Sequence, residues 1–154
     1  MLIAVWHFSF TVSDIEQSIT FYRDVLGMEL VHRQVQDNAY TRKLVGIPDA
    51  HLLVAQLRVK GAPIGRSNHT LELVQYVAPA GVKVDTRTMN TGTAHLAFEV
   101  NDIMPEYERM HALGVRFRNP PVPIEAGVNQ GGYACYFLDP DDITLEMVQP
   151  PPRP

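Results

Sequence analysis

Residues 7–27, HFSFTVSDIEQSITFYRDVLG, return one residue shorter at 95–114 as HLAFEVNDIMPEYERMHALG. A second word, TLELVQ at 70–75, returns as TLEMVQ at 144–149 with one residue changed. A sequence that states a strand, a cap and a helix twice, and closes each statement on the same short strand, is restricted to paired copies of one supersecondary module.

The content of the module follows from periodicity. Residues 3–12 alternate: Trp6, Phe8, Phe10 and Val12 take one side and His7, Ser9 and Thr11 the other, which predicts a strand with a hydrophobic face. Ser13 stands three residues before Glu16, a capping-box spacing that makes Ser13 the expected N-cap. Ile15, Ile19, Tyr22 and Leu26 then recur at helical spacing until Gly27 stops the helix. Strands follow at 28–36, 51–59 and 70–76, with a short helical turn in YTRKLVG at 40–46. The second copy has Asn101 as expected N-cap, a helix ending at Leu113-Gly114, and strands at 115–118, 131–138 and 143–149. The organisation read from this is one domain over 1–154: module 1 at 3–77, a polar Pro- and Gly-containing linker at 78–92, module 2 at 93–149, and an extended tail at 150–154.

Composition narrows the partners. Thirteen Lys and Arg against seventeen Asp and Glu give a net charge of −4 with no basic run, so nucleic acid is not an expected partner. The apolar N-terminus has neither a basic flank nor the length of a membrane span, and no membrane partner is expected. A single cysteine, Cys135, excludes an intrachain disulfide and fits a reducing compartment, giving a cytoplasmic expectation.

Parity selects the chemistry. His7 is opposite in parity to Trp6 and Phe8, His95 to Leu96 and Phe98, Glu72 to Leu71 and Leu73, and Glu146 to Leu145 and Met147. All four point away from the face that the two helices cover on a sheet of about eight strands. Taken singly, a strand histidine or glutamate is an ordinary half-buried or solvated residue. Taken together, two imidazoles and two carboxylates suit one divalent cation, Zn²⁺, Ni²⁺, Co²⁺, Mn²⁺ or Fe²⁺, with room left for water or substrate. The neighbours have drifted, Ser9 to Ala97 and Leu73 to Met147, whereas the four candidates have not. His69 has the parity of Leu71, His111 lies on the second helix as a surface residue, and His32 and His51 lack a partner pattern. Cys135 reads as an inert buried thiol, and Arg42 and Arg58 as anion contacts no better than background.

Three patterns, H…V.D…S..FY…LG at the N-terminus, H.AF.V.D near the middle and DPD…LE at the end, resemble the vicinal-oxygen-chelate superfamily. That group includes glyoxalase I, methylmalonyl-CoA epimerase, extradiol dioxygenases, fosfomycin-resistance enzymes and bleomycin-resistance proteins. The resemblance covers nearly all of residues 3–149. It implies an α+β fold of two tandem βαβββ modules forming a curled mixed sheet with helices outside. It implies one divalent metal on His7, Glu72, His95 and Glu146, a small-molecule substrate, and a homodimer. The four-ligand set is similar to that of bacterial-type glyoxalase I, and methylmalonyl-CoA epimerase commonly has Gln at the position of Glu72. The implied chemistry is proton abstraction beside a metal-held carbonyl, in a glyoxalase-I-like lyase or an acyl-CoA-epimerase-like isomerase, with Glu72 or Glu146 as catalytic base. An Fe(II) extradiol-type dioxygenase and a non-catalytic binding or resistance protein are the alternatives. One departure stands out: the family's DPDG turn is DPDD here, placing Asp142 where glycine would take a positive φ.

Overall fold

A computed structural model describes residues 1–65 and 69–152. The protein divides into two compact units, Met1–Lys83 and Val84–Pro154, with the boundary falling inside segment 78–92.

The first unit runs β1 (Phe8–Thr11), α1 (Ile15–Thr20), β2 (Glu29–Gln36), α2 (Ala39–Val45), β3 (His51–Arg58) and β4 (Thr70–Ala78). Its strands are ordered β1-β4-β3-β2, with β1 parallel to β4 and the rest antiparallel. The second unit has β5 (Leu96–Glu99), α3 (Ile103–Ala112), β6 (Arg116–Phe117), β7 (Val122–Pro123), β8 (Tyr133–Leu138) and β9 (Thr144–Gln149). Its order, β5-β9-β8-β6 with β5 parallel to β9, repeats the first, and β7 adds to β8. The α+β architecture of two βαβββ modules is therefore present. The expected sheet of about eight strands is instead two sheets, one per unit, because the ladders close within each module.

Alternation places the cores. In β4 Leu71 and Leu73 are fully buried while Glu72 between them is not; in β9 Leu145 and Met147 flank Glu146 in the same way. Against the leucine side of the first sheet lie Ile15, Ile19 and Tyr22 of α1 and its extension, and Ile103 and Met110 of α3 serve the second unit. Each such side chain contributes about 1.5–3 kcal/mol. α2 does something different. It lies toward the Glu72 side, where Val45 and Ile47 pack on Leu52, Val54, Val74 and Tyr76, so one end of the Glu72 face is covered.

Three local expectations change. Of the predicted 3–12 strand Phe8–Thr11 form β1, Val12 N–H adds a bond to Val74 O at 2.9 Å, and Trp6 and Phe8 on this edge strand are exposed. The N-cap of α1 is Asp14, not Ser13: the Asp14 carboxylate accepts from the N–H groups of Glu16 and Gln17 at 2.9 and 3.0 Å. In α3 the cap position is Asp102, not Asn101, and it makes no side-chain cap bond. After Thr20 the first helix widens into a π-helical turn over Phe21–Val25, where Leu26 N–H reaches back to Phe21 O.

The DPDD turn holds. Asp142 takes φ 65°, as the missing glycine would, and Asp139 Oδ1 accepts from Asp141 and Ile143 N–H at 2.9 and 2.8 Å. At Gly132 a side chain is sterically barred, since a Cβ there would lie 2.2 Å from Gln149 O. Residues 150–152 have no regular structure, and the remainder of the expected tail, 153–154, lies outside the described residues.

Candidate metal centre

Each unit brings together one histidine and one glutamate. His7 Nε2 lies 3.8 Å from Glu72 Oε1, with side chains 33% and 18% exposed. In the second unit His95 Nε2 lies 3.2 Å from Glu146 Oε2, with 42% and 18% exposed. The parallel strand pair makes this possible: β1 runs beside β4 with Ser9 opposite Glu72, and β5 beside β9 with Ala97 opposite Glu146. The histidine two residues earlier then shares the face of the glutamate. Among the described residues no group of three or more His, Cys, Asp and Glu forms a ready metal site. What each unit presents is one His–Glu pair.

The donors fit a divalent cation. Ligand atoms about 2.1 Å from an ion are about 3 Å apart at a right angle and about 4.2 Å apart across it. Both observed separations fall in that range. His7 Nδ1 is buried without a hydrogen-bond partner among the described residues.

The rows across each sheet contain residues that sequence reasoning missed. In the first unit Ser9, Glu72, Gln56 and His32 are register partners in succession. Gln56 donates its amide to Glu72 Oε2 at 2.9 Å. In the second unit the corresponding row is Ala97, Glu146, Tyr136, with Arg118 N–H bonded to Tyr136 O. The Tyr136 ring lies against His95 at 5.3 Å between centroids, and burial together with the Glu146 charge raises its phenol pKa. Matching parity on β3 and β8 was the available signal for Gln56 and Tyr136.

The other candidates stay outside these pairs. Arg58 is tied to Glu29 at 2.7 Å. Cys135 is buried, and burial, with the Glu146 charge adding, pushes its thiol up to about 11. His111 is exposed, stacks on Tyr107, and lines a cavity of about 520 Å³ beside β6 that includes neither His95 nor Glu146. No helix among the described residues is long and apolar enough to cross a membrane.

Two βαβββ modules, each with a His–Glu pair on the face opposite its principal helix, define a duplicated α+β protein. The chain belongs to the Glyoxalase/Bleomycin resistance protein/Dioxygenase superfamily, whose family profile matches residues 4–147. It is 35% identical over 153 residues to a 2-epi-5-epi-valiolone epimerase of Actinomyces sp, covering 97% of this chain and 80% of that one. It is 28% identical to a lactoylglutathione lyase of Haemophilus influenzae, covering 94% and 91%. Against an Arabidopsis thaliana lactoylglutathione lyase it is 26% identical but spans 44% of that longer protein. In structure it resembles a glyoxalase family protein from Bacillus cereus, with a TM-score of 0.78, 17% identity, and 99% and 97% of the chains covered. The fosfomycin resistance protein FosX of Listeria monocytogenes, solved with Mn(II) and sulfate, superposes with a TM-score of 0.62 at 17% identity, covering 97% and 93%. These structural likenesses concern the fold.

Proposed function

We propose that this protein is a metal-dependent isomerase that moves a proton at a carbon next to a carbonyl, with an epimerase reaction on a small hydroxyketone as the leading form. The observation that carries this reading is the doubled pair, His7 with Glu72 and His95 with Glu146, placed by equivalent strands of the two modules. One ion taking all four side chains needs both pairs, from one protomer or from the two copies of a homodimer. A divalent cation, when bound, supplies Lewis-acid polarisation of the carbonyl and stabilises the negative charge left on its oxygen.

The protein's own residues supply the rest. A glutamate carboxylate accepts the α-proton from one face, and inversion follows when the second glutamate, carrying a proton taken from solvent, delivers it to the opposite face. The imidazoles serve as neutral nitrogen donors and remain spectators to proton transfer. Epimerisation is preferred over hemithioacetal chemistry because the epimerase similarity, 35%, covers 97% of this chain, against 26% to 28% for the lactoylglutathione lyases just described. Dioxygenase chemistry and ligand sequestration are the competing readings.

The test is solvent deuterium exchange. Protein stripped of metal and reloaded with each of Zn²⁺, Ni²⁺, Co²⁺, Mn²⁺ and Fe²⁺ is incubated in D₂O with 2-epi-5-epi-valiolone or a glutathione hemithioacetal, and the α-position is followed by NMR. Cation-dependent wash-in at the ketone α-carbon is expected. Absence of exchange with every cation, or oxygen uptake with Fe²⁺ in its place, overturns the reading.

A further inference from the structure

The two modules differ beside their glutamates, and one of the differences places a tyrosine where the other module has a glutamine. Gln56 in β3 and Tyr136 in β8 occupy equivalent positions, each the register partner of its module's glutamate. Gln56 gives its amide to Glu72. Tyr136 gives nothing to Glu146: among the described residues its phenol makes no hydrogen bond, while its ring is packed on His95 at 5.3 Å. Tyr136 is half-buried, and a ring already held by packing presents its O–H at little further entropic cost.

We propose that the Tyr136 phenol selects the substrate, donating a hydrogen bond to a hydroxyl oxygen of a small polyhydroxylated ketone seated over the His95–Glu146 pair. This rests on the isomerase reading above and names its substrate class. The directly opposed strand positions put Tyr136 and Glu146 side by side, so a carbonyl carbon within reach of the carboxylate has its ring or chain substituents beside the phenol. A neutral O–H donor complements a hydroxyl or ether oxygen. The apolar methylenes of an acyl thioester leave it unpaired. Position 97, the other register partner of Glu146, is an exposed alanine that brings no polar group to that side of the carboxylate.

The test compares wild type and Tyr136→Phe, both metal-loaded, with two probes: 2-epi-5-epi-valiolone, and 2-hydroxycyclohexanone as a ketone with one vicinal hydroxyl and no others. Dissociation constants come from calorimetry and α-deuterium exchange from NMR. The wild type should bind the polyhydroxylated probe more tightly, and Y136F should reduce that preference about tenfold, the usual loss of a neutral hydrogen bond. An unchanged preference, or equal weakening toward both probes, assigns the ring a packing role on His95 and overturns the proposal. So does a wild type with no preference. A wild type that binds with this Tyr136 dependence yet exchanges no deuterium defeats the isomerase reading while the selection role stands.

Discussion

The side-chain carbonyl of Gln149 accepts the backbone N–H of Ile103 at 2.8 Å, tying the last strand of the second unit to the first turn of α3. Gln75 does the same for Ile15 in the first unit at 2.9 Å. The repeated word TLE(L/M)VQ therefore has two working ends: a glutamate on the open face and, three residues later, a glutamine on the helix side that satisfies a helix N-terminal donor. The two ties carry unequal weight. Asp14 also caps α1 with two bonds, whereas Asp102 makes none, so Gln149 is the principal side-chain anchor of α3. Gln149→Leu should cost about 1–2 kcal/mol and Gln75→Leu about half that. Urea unfolding of the two variants checks the order, and a larger loss for the first-unit variant would refute it.

Most of the fold was legible because it was written twice. The helix stripe Ile15, Ile19, Tyr22 is buried as its spacing requires, and the parity that set Glu72 apart from Leu71 and Leu73 appears in their burial. The misses have local causes. Ser13 and Asp14 are both competent caps, and sequence alone does not say which residue takes the extended conformation that Asp14 adopts at φ −139°. Trp6 and Phe8 follow a hydrophobic alternation that carries no information about where a neighbouring helix ends. For the site, the His–Glu pairing was readable from parity, but the Gln56–Glu72 bond depends on the β3–β4 register, which a single strand's pattern cannot supply.

Gln56 should matter to metal affinity. Its amide holds Glu72 Oε2 at 2.9 Å, which fixes the carboxylate's rotamer and leaves Oε1 toward His7. Groups that orient a ligand in this way are worth about 10–100-fold in affinity when removed. Gln56→Leu, which keeps side-chain bulk on the same face, should weaken binding of Mn²⁺ or Zn²⁺ by about tenfold or more, measured by competition with a chromophoric chelator. Undiminished affinity would separate Glu72 from the ion.

Cys135 should be silent toward alkylation in the folded protein. Its thiol is raised from the ordinary 9.0 to about 11, first by burial and then by the Glu146 charge. At pH 8 the thiolate is scarce and the sulfur has little exposure, so iodoacetamide should label it only in denaturant. The sign for stability follows. The folded state holds its proton longer than the unfolded state does, so this contribution is complete below pH 9, declines as pH rises, and is lost by about pH 11. Mass spectrometry of native and urea-treated samples decides the first point, and denaturation midpoints at pH 8 and pH 10 the second.

Asp142 holds a left-handed position that suits glycine, and two opposing terms determine what its replacement does. Its φ of 65° burdens a residue with a Cβ by about 1 kcal/mol relative to glycine. Its carboxylate pairs with Arg116 at 2.5 Å, but both side chains are partly exposed, and such a pair is worth about 0–1 kcal/mol. Asp142→Gly gives up the ion pair and relieves the backbone, so it should unfold within about 0.5 kcal/mol of wild type. Asp142→Ala gives up the pair and keeps the strain, and should be less stable than the glycine variant by about 1 kcal/mol. The ordering follows because only glycine removes the Cβ that makes φ 65° costly. If urea denaturation finds the alanine variant equal to or above the glycine variant, the turn has relaxed to a negative φ at this residue and the positive-φ geometry leading into Ile143 and Glu146 is not what the DPDD sequence specifies.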